Sequence, residues 1–425
     1  MIEIFASLLQ FVIFIIFFFF FHKFFNKNLF YLNSNTVFQT FSINIIIFLN
    51  ILLFFSFLNI NSNIVYYFIL ILSFFNLKNF NFFKKELTIL YFFFLINIIF
   101  FINIIHNPIL GWDGQVVWYP KVYNFFSGGN FFTLADSHYP EYPHLGSFLW
   151  FFFWKNSFLQ LEYFGRFIYV FIYSVSIFLY FGIKGKNYKN ILILFFMIFL
   201  TYDKDLFTGY QEVLIFSLIN IFMYFYIALK KKNFFFLILS ILICNSVIWI
   251  KSEGIFFIIP IIFLFIVSLS IDKIYKKIFL FFIILILIIR VCLSVEMMGD
   301  FRWQGEGYSA NSLLIQLLKY DLYLNKASLI LKHFIISFFK YPIWLLTFIL
   351  LFVRYLNLKE ISYKNFIVVV VYLLFFNFAV FFTSSANLEW HLAVALDRLN
   401  YIASAYLFFF VYIKLTEIKY GNYDI

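Results

Sequence analysis

Apolar runs of about twenty residues, each closed by a short polar cluster, follow one another along most of the sequence. A helix needs about 20 apolar residues to cross a bilayer, and hydrocarbon offers no partner for unpaired backbone groups, so such runs read as membrane-spanning helices. Cutting the chain at its polar clusters predicts thirteen spans, near 4–21, 37–58, 64–77, 87–105, 160–182, 190–202, 212–229, 233–250, 254–271, 278–295, 340–354, 365–383 and 400–413. The runs at 190–202 and 400–413 are short, so the predicted fold is an all-α polytopic membrane protein of about 11–13 transmembrane helices. The first run, MIEIFASLLQFVIFIIFFFFFHK, lacks a basic leader and a small-residue cleavage site, and reads as a retained helix rather than a signal peptide.

Composition sharpens this picture. Of 425 residues, 64% are hydrophobic and 12% charged, with a mean hydropathy of +0.96. A soluble domain is typically about 45–50% apolar and about 25% charged. No single compact core hides so much apolar surface, which excludes a soluble enzyme, a disordered chain and a disulfide scaffold. The 74 Phe, with many Ile, Asn and Lys, look like AT-rich coding bias and carry no functional weight. Cys244 and Cys292 both lie in apolar runs and read as small core residues rather than a disulfide or metal pair.

In a soluble protein the net charge of +11 would point to nucleic acid. Its distribution points to the bilayer instead. If the first helix ends in the cytoplasm, alternate loops hold 19 of the 31 basic residues and five of the 20 acids. They include Lys184, Lys186 and Lys189; Lys230, Lys231 and Lys232; and Lys273, Lys276 and Lys277. Every alternate loop then obeys the positive-inside rule. The expected topology has an outside amino terminus, a cytoplasmic carboxyl terminus and no nucleic-acid partner.

On this layout the non-repetitive polar sequence falls outside, in loops at about 106–155, 203–212, 251–254, 296–340 and 383–398. In the loop at 296–340, Leu313, Leu314, Leu317, Leu318, Leu322 and Leu324 recur at near-helical spacing, as in a helix lying in the interface plane. There is no internal repeat and no detachable soluble domain.

The first external loop places Asp113 between Gly111-Trp112 and Gly114, just after an apolar span. An acid at membrane depth costs about 2.5–3.5 kcal/mol, so it usually faces a wet cavity and has a role, and the flanking glycines permit close backbone approach. Trp112 and Trp118 either stack on a sugar face or anchor the chain at the headgroups. Further on, HYPEYPH is compatible with polyproline II, which would put His138, Glu141 and His144 on one edge. Successive members would sit roughly 9 Å apart, against ligand distances of about 2 Å, so a rigid loop shaping a cleft is the better reading than a metal site. The next loops contribute Asp203, Asp205 and Glu212, then Lys251 and Glu253, whose simplest reading is a local Lys–Glu contact. In EWHLAVALDRLNY, a helix would put His391 and Arg398 on one face with Asp397 adjacent, and Arg398 either grips a phosphate or pairs with an acid.

Acids and a few cations from several loops, converging at one side of a helical bundle, suit a transferase that takes sugar from a lipid carrier. A carboxylate deprotonates the acceptor hydroxyl, and cations or a metal ion stabilise the departing lipid phosphate. Nucleotide motifs such as Walker A or GxGxxG are absent. Five short elements carry a specific resemblance. GWDGQVVWYPK (Gly111 to Lys121) resembles WDA..IW..KA; HYPEYP (His138 to Pro143) resembles HPDYP; GYQE (Gly209 to Glu212) resembles GYAD; KSEG (Lys251 to Gly254) resembles KNEG; WHLAVALDRL (Trp390 to Leu399) resembles WH..TSLDR. In this order they resemble the GT-C superfamily of integral-membrane glycosyltransferases, nearest to the bacterial branch related to protein-mannosyltransferase and aminoarabinose-transferase folds.

The resemblance implies a catalytic module over residues 87–425, with 1–86 as additional transmembrane helices. It implies a polyprenyl-phosphate-sugar donor, a saccharide, lipid or protein acceptor, and a site facing outward from a bacterial inner membrane. Asp113 would be the catalytic base, and Glu212, with Asp203 or Asp205 as competitors, would bind donor or ion; a divalent cation is a candidate cofactor. Glu141 and Glu212 stand where the family pattern has Asp, and Ser252 where it has Asn. Cation roles for Lys251, His391 and Arg398 follow from chemistry alone. The competing readings are a transporter or flippase, which needs ionisable residues in mid-membrane such as Arg166 or Arg290, and a polymerase or ligase of lipid-linked saccharides, which would be expected to rely on external arginines.

Overall fold

The computed structural model describes residues 2–18, 36–58, 61–76, 83–137, 139–140, 142–183, 188–229, 234–298, 323–352, 363–383 and 387–416. All regular structure among them is helical. The order is α1 (Ile2–Phe17), α2 (Val37–Leu58), α3 (Ser62–Asn76), α4 (Phe83–His106), α5 (Tyr119–Phe126), α6 (Leu145–Lys155), α7 (Glu162–Phe178), α8 (Tyr188–Thr201) and α9 (Glu212–Ala228). There follow α10 (Phe234–Ile250), α11 (Gly254–Phe257), α12 (Ile259–Val267), α13 (Lys273–Met298), α14 (Tyr323–Lys340), α15 (Pro342–Phe352), α16 (Tyr363–Phe382), α17 (Leu388–His391) and α18 (Asp397–Leu415). Each expected span coincides with one or two of these helices.

Among the described residues, six helices are long and apolar enough to cross a membrane, or seven if α14 and α15, bent 98° apart, count as one broken span. The remaining apolar helices are shorter: Ser62–Phe74, Asn190–Thr201, Glu212–Ala228, Phe234–Ile250 and Gly254–Val267. These helices support a multi-pass membrane protein.

Helices α7 and α9 are buried on all sides, with α9 packed against α7, α10 and α18. The outer helices bury one stripe and expose another. On α13, Phe281, Ile284 and Ile288 are all more than half exposed at i, i+3, i+7 spacing. A soluble protein does not carry such faces unpartnered, whereas lipid covers them at no cost. Cys292 also lies on the exposed side of α13; only Cys244 is a core residue, so half of that expectation is corrected. Without a hydrophobic drive between helices in lipid, buried polar side chains bind the bundle. Asn400 donates to Ser337 Oγ at 2.8 Å and accepts from Asn377 at 2.7 Å, joining α18, α14 and α16. Asn245 donates to Asn50 at 2.8 Å, joining α10 to α2.

Two stretches expected as loops are helical. The stretch at 106–155 holds a π-turn (Gly114–Trp118), α5, a 3-10 turn (Phe132–Asp136) and α6, whose residues Leu145 to Phe153 are all buried. Eleven residues are too few to span, so their apolar pattern gives no hydropathy signal. The stretch at 296–340 includes α14; the expected in-plane helix over Leu313 to Leu322 lies outside the described residues.

Candidate functional site

The site begins with a backbone contact that only glycine permits. Gly111 N–H donates to the Thr208 carbonyl at 3.0 Å, and a Cβ on Gly114 would stand 2.5 Å from that same oxygen. The segment carrying Asp113 is thereby pressed onto the turn carrying Asp203 to Glu212. Gly209 turns the second segment with φ +85°, a left-handed conformation that suits glycine. Arg166, in the second turn of α7, fixes the same turn from beneath: it grips Glu162 with bonds of 2.9–3.1 Å and donates to the Phe207 carbonyl at 2.9 Å. Arg166 is thus a structural brace near a helix end, not a charge in mid-membrane.

Arg398 lies at the centre. It pairs directly with Asp113, 285 residues away in sequence, and sits 3.5 Å from Glu212. Its guanidinium is aligned by a 2.8 Å bond to the Val394 carbonyl and by the Tyr210 ring, 5.0 Å from its centre. Lys251 bonds Glu212 at 2.7 Å and lies 3.2 Å from Glu253. Burial alone would lower the basicity of Lys251, but the Glu212 and Glu253 carboxylates outweigh it and hold the ammonium above the usual lysine range. Burial pushes the Tyr210 phenol up, against the opposing pull of Arg398, so it is a neutral hydroxyl. Three carboxylates thus face two cations. One oxygen each of Glu212 and Glu253 is buried with no hydrogen-bond partner.

A second cluster adjoins the first through α18. Asp397 bonds Lys340 at 2.6 Å, and Lys340 is 4.0 Å from Asp203. Tyr341 donates its hydroxyl to Asp203, and the other Asp203 oxygen accepts the Asp205 amide at 2.9 Å. Asp113, Asp203, Glu212, Lys251, Glu253 and Arg398 therefore form two joined ionic groups at one end of the bundle, with Asp205 on the same turn as Asp203.

These ion pairs do not involve the other expected site residues. Trp112 is 54% exposed and lies beside Asp113 along the chain. His138 and Glu141 lie outside the described residues, but the proposed polyproline edge is corrected: Tyr139 has φ +64° and its carbonyl accepts the Tyr142 amide at 3.3 Å, so the chain turns there. His144 points away into the core, 2.7 Å from Ser56 Oγ. A π-turn (Leu392–Leu396) stands between His391 and Arg398, and the His391 ring remains within electrostatic reach of the Arg398 guanidinium. The His391 ring packs edge-on against Phe381, centroids 5.0 Å apart.

Among the described residues no group of three or more His, Cys, Asp or Glu could hold a metal ion, and the carboxylates of Asp113 and Glu212 are engaged by arginine and lysine. These side chains, as placed, do not fit a metal centre. No family model, curated protein or solved structure matches the chain. Sequence reasoning missed Tyr210, Lys340 and Tyr341 as site residues. The available signal was Lys340-Tyr341-Pro342 breaking an apolar run, as a cation at the mouth of a span does.

Proposed function

We propose that this chain is a GT-C-like membrane glycosyltransferase. It transfers a sugar from a polyprenyl-phosphate donor to a glycan, lipid or protein acceptor on the external face of a bacterial inner membrane. The observation that carries the reading is the convergence of Asp113, Tyr210, Glu212, Lys251, Glu253 and Arg398, from four separate loop motifs, into one ionic cluster at the end of an apolar bundle. A transferase of lipid-linked sugars needs that placement, because the donor's tail stays in the bilayer while its sugar meets a polar site.

In the proposed reaction Asp113 accepts the proton of an acceptor hydroxyl. The resulting oxygen attacks the anomeric carbon from the face opposite the lipid phosphate, and the carbon–oxygen bond to that phosphate breaks with its electron pair leaving on the prenyl phosphate. Arg398 holds the Asp113 carboxylate by a direct ion pair in the resting state, and the carboxylate turns to the acceptor when one binds. The buried free oxygens of Glu212 and Glu253 accept sugar hydroxyls and fix the donor. In mass spectrometry of purified protein with lipid extract from its own membranes, wild type releases free polyprenyl phosphate and Asp113→Asn releases none while expressing normally. Release by Asp113→Asn at the wild-type rate would remove Asp113 as the base. Passage of saccharide across a vesicle bilayer without release would favour a flippase.

A further inference from the structure

We infer that Tyr401, on α18, and Glu212, at the start of α9, form a subsite for one hydroxyl of the transferred sugar. Tyr401 is 3% exposed, and its own hydroxyl is buried with no hydrogen-bond partner. Few buried hydroxyls are left so, because the group has given up water and gained nothing in exchange. The setting of the ring shows where a partner would come from. Tyr401 follows Asp397 by four residues and Arg398 by three, one turn inward on the same side of α18. Helical side chains lean toward the helix N-terminus, so the phenol is aimed at the end that holds the site. Phe216 stands four residues after Glu212 on α9, and its ring stacks on Tyr401 with centroids 4.9 Å apart and planes at 19°. The Tyr341 ring borders Tyr401 as well, centroids 6.0 Å apart. Aromatic neighbours, not its hydroxyl, hold the Tyr401 ring beneath the ionic groups.

The neighbouring tyrosine hydroxyls are engaged. Tyr341 donates to Asp203, and Tyr173 shares a 2.8 Å bond with Thr201 Oγ1. The Tyr401 hydroxyl lies within electrostatic reach of Asp203, Asp205 and Glu212, yet bonds none of them. Glu212 accepts the 2.7 Å bond from Lys251 on Oε1, and its Oε2 is buried without a partner. A donor without an acceptor and an acceptor without a donor thus stand in one part of the site. A hydroxyl satisfies both, accepting from the phenol and donating to the carboxylate. A phosphate would be repelled by Glu212, and a metal ion or ammonium would leave the phenol proton unaccepted. That the hydroxyl belongs to a sugar rests on the glycosyltransferase reading; the unmet donor and acceptor do not.

The test compares full-length wild type, Tyr401→Phe and Tyr412→Phe in detergent, each incubated with lipid extract from its own membranes. Native mass spectrometry reads the lipids retained, and thermal melting reads the stability of the protein without them. Tyr412, further along α18, donates its hydroxyl to the Tyr180 carbonyl at 2.9 Å and serves as the bonded control. Tyr401→Phe removes an unpaired hydroxyl, so its melting temperature is expected to be no lower than that of wild type, whereas Tyr412→Phe melts lower. Tyr401→Phe is expected to retain saccharide-bearing lipids about tenfold less than wild type and other lipids equally, while Tyr412→Phe retains both like wild type. Equal retention of lipids with and without saccharide by wild type overturns the subsite even if Tyr401→Phe fails to fold. Unchanged saccharide retention by Tyr401→Phe also overturns it, and would assign the hydroxyl to a buried water. Lost retention accompanied by a lowered melting temperature overturns it as well, since the hydroxyl is then bonded within the fold. Tyr401-dependent retention with no release of free polyprenyl phosphate leaves the subsite standing and removes the glycosyltransferase. Release by Tyr401→Phe at the wild-type rate at every dilution of the extract does the reverse.

Discussion

Lys251 illustrates how much of the site's stability depends on pairing. Its ammonium and the Glu212 carboxylate are both about 95% buried and 2.7 Å apart. Lys251→Met leaves Glu212 with Arg398 alone, 3.5 Å away, and takes the 3.2 Å contact from Glu253, so it is expected to destabilise the protein by up to about 3–5 kcal/mol in chemical denaturation, and Lys251→Met with Glu212→Gln to recover the part that belongs to Glu212. A double variant no more stable than the single one would mean the pair contributes through packing alone. His144 predicts a pH dependence of definite sign. Its folded pKa lies well below the unfolded value of about 6.5, so the unfolded chain binds more protons in that window. Its stabilising contribution is present above pH about 6.5 and is lost as pH falls below it, by up to about 1.4 kcal/mol per pH unit. Thermal unfolding between pH 8 and pH 5 should show a shallower acid slope in His144→Gln than in wild type; parallel slopes would exclude this source. Neither pairing was legible in the sequence. The motifs identified Asp113, Glu212, Lys251 and Arg398 as chemistry-bearing, but which carboxylate meets which cation depends on helix ends brought together from hundreds of residues apart.

Elements were read more reliably than contacts, and the failures have physical causes. The run at 37–58 matches α2 at both ends, because a span is bounded where polar residues meet the membrane surface. The reading failed at α6, too short to register as a span, and at residues 392–396, where a π-turn in an otherwise helical pattern leaves no sequence mark. The glycines of GWDG, by contrast, were read correctly as sites of close approach. Gly114→Ala forces its methyl against the Thr208 carbonyl, a backbone atom that cannot rotate away. It is expected to cost about 1–3 kcal/mol of stability and to cut sugar transfer by more than that loss explains, since the Asp113 segment must lift off the Glu212 turn. Assaying transfer below the melting transition separates the two effects; full activity in a folded Gly114→Ala would show that the Gly111–Thr208 contact does not set the position of Asp113.

At the scale of the molecule, the two ends of the bundle differ in charge. α18 begins with Asp397 and Arg398 in the site and ends with Lys414, while α13 begins with Lys273, Lys276 and Lys277 and runs toward the level of Arg290 and Trp249. The acid-rich end therefore holds the site and the lysine-rich end lies opposite, the separation that positive-inside insertion produces. Which compartment each end faces is decided by labelling. Ile109, 73% exposed, adjoins the Asp113 segment, and the fully exposed Leu269 lies in the turn between α12 and α13 at the other end. With Cys244 and Cys292 replaced by Ser, a membrane-impermeant maleimide should label Ile109→Cys in intact cells and Leu269→Cys only after permeabilisation. The reverse pattern would leave the bundle and its ionic cluster intact but turn the site toward the cytoplasm. In that case the external-face assignment would fall, and the charge asymmetry would need a cause other than insertion.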